Sequence, residues 1–190
     1  MKHFFTVSST AFLFSSTLWI IWSFFSVQTS LLPNWLASLI YFPHAARVLC
    51  IVYFGWRAIP GLYLAEIWGP MFIAPEVYNF NVLLPSLMSV ISVSLALGLL
   101  NTLDLKLGNA NTSPLNKRNY KHIALITILS AVFNGLFVNF YLSTMNVNFF
   151  SAIDASIIQV IRFIVGDIVG TAIVFIGLAT FLRPILAKKY

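Results

Sequence analysis

Five charged or titratable side chains lie inside apolar stretches of this sequence, and they are its best candidates for chemistry. His44 and Arg47 are three residues apart, a spacing that puts both side chains on one face of a helix. Glu66, Arg162 and Asp167 interrupt later apolar stretches. A charge inside a bilayer is costly and must be paired or reach water, so each of these residues is a candidate functional residue.

Helix geometry predicts that these side chains form two polar layers. At a rise of about 1.5 Å per residue, the sequence predicts an outer layer of His44, Arg47 and Arg162 above an inner layer of Glu66 and Asp167. Because guanidinium groups bind carboxylates and phosphates in bidentate geometry, the outer layer is a candidate contact for a small anionic ligand or a partner. The structural alternative is that the arginines pair with acidic residues and tie helices together.

Other polar residues in the apolar segments allow further interpretations. Glu66 and Asp167 could form a proton or cation relay, since paired carboxylates at mid-membrane often mark such pathways. Asp154 is a further acid with which the arginines could pair. Asn134, Asn139 and Gln159 favour hydrogen bonds between helices.

Gly166 and Gly170 form a G-x-x-x-G pattern around Asp167. Small residues at this spacing let another backbone approach a helix closely. We therefore expect helix packing at this face, with Asp167 beside it.

Nothing in the sequence predicts an enzyme, a metal site or a cofactor. The three histidines form no H-x-x-x-H pattern, the chain has no C-x-x-C pattern, and no serine or cysteine has an evident base beside it. The one cysteine, Cys50, lies in an apolar run, where we expect a buried small hydrophobe.

Composition predicts the environment of the chain. Hydrophobic residues make up 59% of the sequence and charged residues only 8%, which leaves too little polar surface for a soluble domain. The net charge of +6 indicates no nucleic-acid surface, because the basic residues fall in loops and near the C-terminus. The composition predicts an all-α polytopic membrane protein in contact with the lipid bilayer.

The sequence divides into six apolar segments within a single membrane domain, 1–190. The first is expected to be a retained helix rather than a signal peptide, because it is long and no cleavage site follows it. Prolines near 28–42 predict a re-entrant or interfacial segment there. The second and third segments are short. The predicted helices cover about 5–27, 44–56, 61–72, 81–101, 121–143 and 155–186.

The distribution of lysine and arginine predicts the topology. Lys106, Lys117, Arg118 and Lys121 lie between the fourth and fifth segments, and further basic residues lie near both ends of the chain. Loops around 28–42, 73–80 and 144–154 contain neither residue. The positive-inside rule then predicts six crossings, with both termini and the 102–120 loop in the cytoplasm.

Two stretches resemble the membrane-associated sensor domains of the MASE class, first type. The first is Phe42-Pro43-His44-Ala45-Ala46-Arg47-Val48-Leu49 with Gly55-Trp56-Arg57-Ala58-Ile59-Pro60-Gly61-Leu62-Tyr63-Leu64-Ala65. The second is Val165-Gly166-Asp167-Ile168-Val169-Gly170, with Pro184 beyond it. His44 and Arg47 depart from the family, which has small residues and a glycine after the proline.

The resemblance implies a sensory or ligand-binding module of bacterial origin, and we therefore expect the chain to lie in a bacterial inner (cytoplasmic) membrane. Members of the family are usually fused to cyclic-dinucleotide or histidine-kinase output domains, and the sequence ends at Tyr190 without one. We therefore expect this module to act through a partner membrane protein. The alternatives are a small solute-binding component of a transporter and a structural accessory subunit of a larger membrane complex.

Overall fold

A computed structural model describes residues 2–29, 39–73, 82–103, 120–144 and 157–187 of the chain. All regular structure in these ranges is helical, which confirms the predicted all-α class. Short 3-10 turns, Gly55–Ala58 and Gly69–Phe72, follow the second and third helices. The α-helices are α1 (Lys2–Thr29), α2 (Pro43–Phe54), α3 (Ile59–Trp68), α4 (Leu83–Thr102), α5 (Tyr120–Thr144) and α6 (Ile157–Ala187).

Five helical segments within these ranges are long and apolar enough to cross a membrane. Large apolar side chains such as Phe24, Ile158 and Phe181 point away from the bundle. Both findings bear out the predicted membrane protein, since lipid can cover such a surface. The five segments are Lys2–Phe25, Pro43–Phe72, Leu83–Thr102, Lys121–Tyr141 and Ile157–Phe181.

The segment Pro43–Phe72 is apolar throughout, but it does not run in one direction. At its start, the ring of Phe42 lies 5.8 Å from that of Phe25, near the end of α1. After α2, the ring of Trp56 lies 5.5 Å from that of Phe4, near the beginning of α1. By Gly69 the chain is again next to Trp19, in the second half of α1. Helix α2 is therefore antiparallel to α1, and α3 runs parallel to α1.

Gly55 makes this reversal possible. Its backbone has φ +61° and ψ −148°, a region that side chains with a Cβ rarely enter. The helix ends here, and the N–H of Gly55 still bonds to the carbonyl of Ile51. The predicted second and third segments, 44–56 and 61–72, therefore correspond to two short helices that fold back on each other.

Helix α2 lies at the centre of the bundle and packs against α1, α4, α5 and α6. Pro43 stands at its first turn, where a missing N–H costs nothing. Nine of its twelve residues are buried, among them Cys50, so polar side chains on α2 must face protein. This central position is what buries His44 and Arg47.

Several predicted features lie partly or wholly outside the described residues. The re-entrant segment predicted at 28–42 is described only at its two ends. Helix α1 extends to Thr29, and residues 39–42 form a short non-helical lead into α2. Most of the 102–120 loop, together with Asp154, also falls outside these ranges.

Candidate functional site

A cluster of buried charges lies where α2, α3 and α6 meet, and Arg47 is at its centre. The Nε of Arg47 is 3.6 Å from Oε1 of Glu66 on α3. Its Nη2 is 3.6 Å from Oδ1 of Asp167 on α6. Arg47 has no exposed surface, and the two acids are 4% and 1% exposed. Arg47 of the predicted outer layer is therefore in contact with both acids of the predicted inner layer, so these residues do not form two separate layers.

Tyr41 closes one side of the charge cluster. Its hydroxyl donates to Oε2 of Glu66 over 3.3 Å, and the guanidinium of Arg47 lies 5.4 Å from the centre of its ring. Trp19 and Trp22 of α1 hold the ring edge-on, with centroids 5.4 and 4.9 Å away. The cation is therefore faced by two carboxylates and an aromatic ring.

The glycines of α6 bring the backbone before α2 against the cluster. The N–H of Tyr41 donates to the carbonyl of Gly166 over 2.9 Å. A Cβ at Gly170 would overlap the backbone of Tyr41. Trp22 also donates its indole N–H to the carbonyl of Ile40. The G-x-x-x-G pattern thus receives a close backbone, but that backbone is the non-helical 39–42 segment rather than a neighbouring helix.

His44 connects the cluster to α5 and α6. Its Nε2 lies 3.0 Å from Oγ of Ser130, and its Nδ1 lies 3.4 Å from Oδ2 of Asp167. Asn134 donates to the same Asp167 oxygen over 2.7 Å. Ser89 of α4 in turn donates to Oδ1 of Asn134 over 2.7 Å. The polar network therefore joins five helices, α2 to α6, through side chains alone.

Several atoms of this network lack a hydrogen-bond partner among the described residues. They are Nδ1 of His44, all three guanidinium nitrogens of Arg47, and Oε1 of Glu66. Contacts of 3.6 Å are ion pairs but are too long for hydrogen bonds. Buried donors without acceptors are costly. The centre of the cluster therefore contains buried donors and an acceptor whose hydrogen-bonding capacity no described residue satisfies.

Arg162 does not join the cluster. It is exposed on α6, among apolar side chains that face away from the bundle. Arg162 precedes Asp167 by five residues, which is about 140° around a helix of 3.6 residues per turn. When Asp167 faces inward, Arg162 must therefore face nearly the opposite way.

Asn134, Asn139 and Gln159, which are expected to bond between helices, differ in what they contact. Asn134 makes the expected bonds between helices, to Ser89 and Asp167. Asn139 instead donates to the carbonyl of Gly135 in its own helix. Gln159 is buried on α6.

Sequence reasoning did not select Tyr41 or Ser130, although both touch the cluster. Tyr41 lies three residues before His44, but no periodic pattern covers the non-helical stretch that holds it. Ser130 is one of many hydroxyls in the chain, and only its neighbour across the bundle distinguishes it. The signal for such a residue is a polar side chain at the same depth in the bundle as a charged side chain on another helix.

No protein-family model, no curated protein and no solved structure gives a significant match to this chain. The resemblance to the sensor domains therefore stays a prediction. The fold and the cluster themselves define the class: a helical membrane protein with a buried network of charges at the centre of its bundle.

Proposed function

We propose that this protein is an integral-membrane sensory or ligand-binding module whose recognition site is the charge cluster around Arg47. One observation carries the proposal. Arg47 is completely buried, and none of its three nitrogens has a hydrogen-bond acceptor among the described residues. A purely structural arginine would be expected to bond its carboxylates directly, because an unpaired buried donor is costly.

The composition of the cluster limits the chemistry of the ligand. An acceptor group on the ligand would bind the guanidinium, as a carboxylate or phosphate does. Glu66 and Asp167 lie 3.6 Å from the same group and would repel a second negative charge. The proposed ligand is therefore small, with at most one negative charge, and a zwitterion or neutral polar molecule satisfies the site equally well.

We further propose that the chain crosses a bacterial inner membrane six times, with both termini and the 102–120 loop in the cytoplasm. The reversal at Gly55 supports two short passes instead of one long one. Trp56 lies against Phe4, so Arg57 stands at the same end of the bundle as Lys2. The placement of Lys2 and Arg57 at the same end of the bundle agrees with the positive-inside rule.

The proposed output is a contact with a partner membrane protein. Arg162 supports this part, because it is a cation on the outward apolar face of α6. An acidic group on a partner helix would neutralise it within the bilayer. The resemblance to sensor domains that are fused to output domains points the same way.

A binding experiment on the purified protein in lipid nanodiscs tests the recognition site. Acetate, inorganic phosphate and glycine serve as probes of a monoanion, a more highly charged anion and a zwitterion, and the readout is the thermal unfolding temperature. We expect acetate or glycine to raise this temperature in the wild type and to have no effect in Arg47→Met. Arg57→Met is the matched control, because Arg57 is exposed at the turn after α2.

Native mass spectrometry supplies a second readout that does not depend on the choice of probe. A small molecule retained from the membrane should add mass to the wild type and to Arg57→Met but not to Arg47→Met. If no probe stabilises the wild type, no added mass is found, and Arg47→Met only lowers stability, the cluster is structural. That outcome would favour the accessory-subunit alternative.

A further inference from the structure

The hydrogen bonds around His44 indicate a position for one of its protons. The hydroxyl of Ser130 donates its single hydrogen to the carbonyl of Thr127 over 3.2 Å. It can then only accept from Nε2 of His44, which lies 3.0 Å away. On this basis we assign a hydrogen to Nε2 of His44.

The opposite side of the ring faces an acceptor. Nδ1 of His44 lies 3.4 Å from Oδ2 of Asp167. That oxygen accepts from Nδ2 of Asn134, and the amide of Asn134 is oriented by the hydroxyl of Ser89. A neutral His44 protonated at Nε2 would present a lone pair to an ionised carboxylate. Two buried acceptors facing each other are stable only if a proton lies between them.

The net charge of the cluster also indicates one additional bound proton. Arg47 supplies one positive charge, and Glu66 and Asp167 supply two negative ones, which leaves −1 when His44 is neutral. A net charge away from water is strongly disfavoured. One additional proton makes the cluster neutral.

We propose that His44 and Asp167 bind one exchangeable proton between them, so that the charge cluster is a proton-binding site. The proton comes from water and returns to water, and the only bonds that change are N–H and O–H bonds. Among the described residues, the titratable groups that face this pair are Tyr41, Arg47 and Glu66. The other polar side chains around it are Ser89, Ser130, Asn134 and, on α1, Trp19.

The bound proton has a structural consequence. It joins α2 to α6 beside the bond between Tyr41 and Gly166. Its loss would place a lone pair of His44 against the charge of Asp167 and would loosen this contact. A role of this proton as a signal rests on the proposed sensory function. In that function the proton would be the ligand itself or would bind together with a monoanion at Arg47. The existence of the site does not depend on that function.

The chain is well suited to a direct measurement, because it contains only three histidines. Nitrogen-15 NMR of histidine-labelled protein in nanodiscs resolves His3, His44 and His122, and His44→Gln assigns the signal of interest. We expect the pair to hold its shared proton near neutral pH, seen as a hydrogen on Nε2 of His44 together with a second hydrogen on Nδ1 of His44 or on the carboxyl group of Asp167. Raising the pH to about 9 should release one proton, seen at His44 and, with carbon-13 aspartate, at Asp167 in the same step.

Asp167→Asn and His122→Gln complete the experiment. In Asp167→Asn, His44 should become neutral with its hydrogen on Nε2, while His122→Gln should leave the titration of His44 unchanged. The proposal is overturned if wild-type His44 stays neutral from about pH 5 to about pH 9 with its hydrogen on Nδ1 and an ionised Asp167. Because this is measured on the wild type without added probe, it is independent of whether acetate or glycine binds.

Discussion

At the scale of single residues, Arg47 is central to the bundle, because among the described residues it is the one permanently charged cation of the buried cluster. It is faced by Glu66 and Asp167 at equal distances of 3.6 Å. Removing one partner of a buried ion pair leaves an uncompensated charge, whereas removing both partners can be nearly neutral. The cluster therefore makes a clear prediction about paired substitutions.

Arg47→Met should lower the free energy of unfolding by roughly 3–5 kcal/mol, because it leaves two acids without a cation. Glu66→Gln in the same chain should recover much of that loss, since the proton shared by His44 and Asp167 then balances the remaining charge. Reversible unfolding in a detergent mixture, followed by tryptophan fluorescence, measures both effects.

Arg162→Met is the matched control for these variants. Arg162 is exposed and has no contact with the cluster, so its loss should change the free energy of unfolding by no more than about 0.5 kcal/mol. Strictly additive effects of Arg47→Met and Glu66→Gln would contradict the pairing of these two residues.

At the scale of elements, the contact between α6 and the 39–42 segment decides where the cluster forms. Helix α6 lies against a non-helical backbone because Gly170 leaves room for the backbone of Tyr41, whose N–H bonds to the carbonyl of Gly166. Irregular backbone is tolerated at membrane depth only when it is buried in protein or lines a cavity. This contact is also what presents Tyr41 to Glu66 and Arg47.

Gly170→Ala should destabilise the protein by about 1–3 kcal/mol, because its methyl group would overlap the backbone of Tyr41, which cannot move without disturbing α2. Gly177→Ala, about two turns further along the same helix, meets no atom within 4 Å and should leave stability unchanged or slightly raised. Thermal unfolding of the two variants side by side is the measurement. Equal stability of the two would mean that α6 does not approach Tyr41 closely.

At the scale of the whole molecule, the reversal at Gly55 is the feature on which the proposed number of membrane crossings depends. Helices α2 and α3 have 12 and 10 residues, which is about 18 and 15 Å of helix and short of a full hydrocarbon thickness. Their polar side chains lie against other helices rather than against lipid. Because α2 and α3 fold back on each other, Arg47 and Glu66 can meet in one buried cluster. In a single long helix these two residues would lie near opposite ends.

Cysteine labelling in whole cells tests the proposed topology in a Cys50→Ser background. A cysteine at Thr112 or Arg57 should resist a membrane-impermeant reagent, because both positions are proposed to be cytoplasmic. A cysteine at Asn146 should react. Permeabilised cells provide the control, since all three cysteines should then be labelled. Reaction at Thr112 and protection at Asn146 would reverse the proposed orientation.

The apolar segments and the candidate residues could be predicted because their signals are local. Long apolar stretches with few charges require a helical membrane protein, and any charge within them needs a partner. Those rules selected His44, Arg47, Glu66 and Asp167 without reference to any neighbour in space.

The sequence by itself determined the membrane class, the helical segments and the small set of buried polar residues. Only the tertiary structure decided that two acids meet Arg47, that Tyr41 joins them, and that Arg162 points away. Depth along a helix follows from counting residues, but the direction of a side chain depends on the rotation of the helix and on its neighbours. Because the helices of this chain are apolar on nearly every face, the sequence has no periodic pattern that indicates how each helix is rotated. Packing alone determines that rotation.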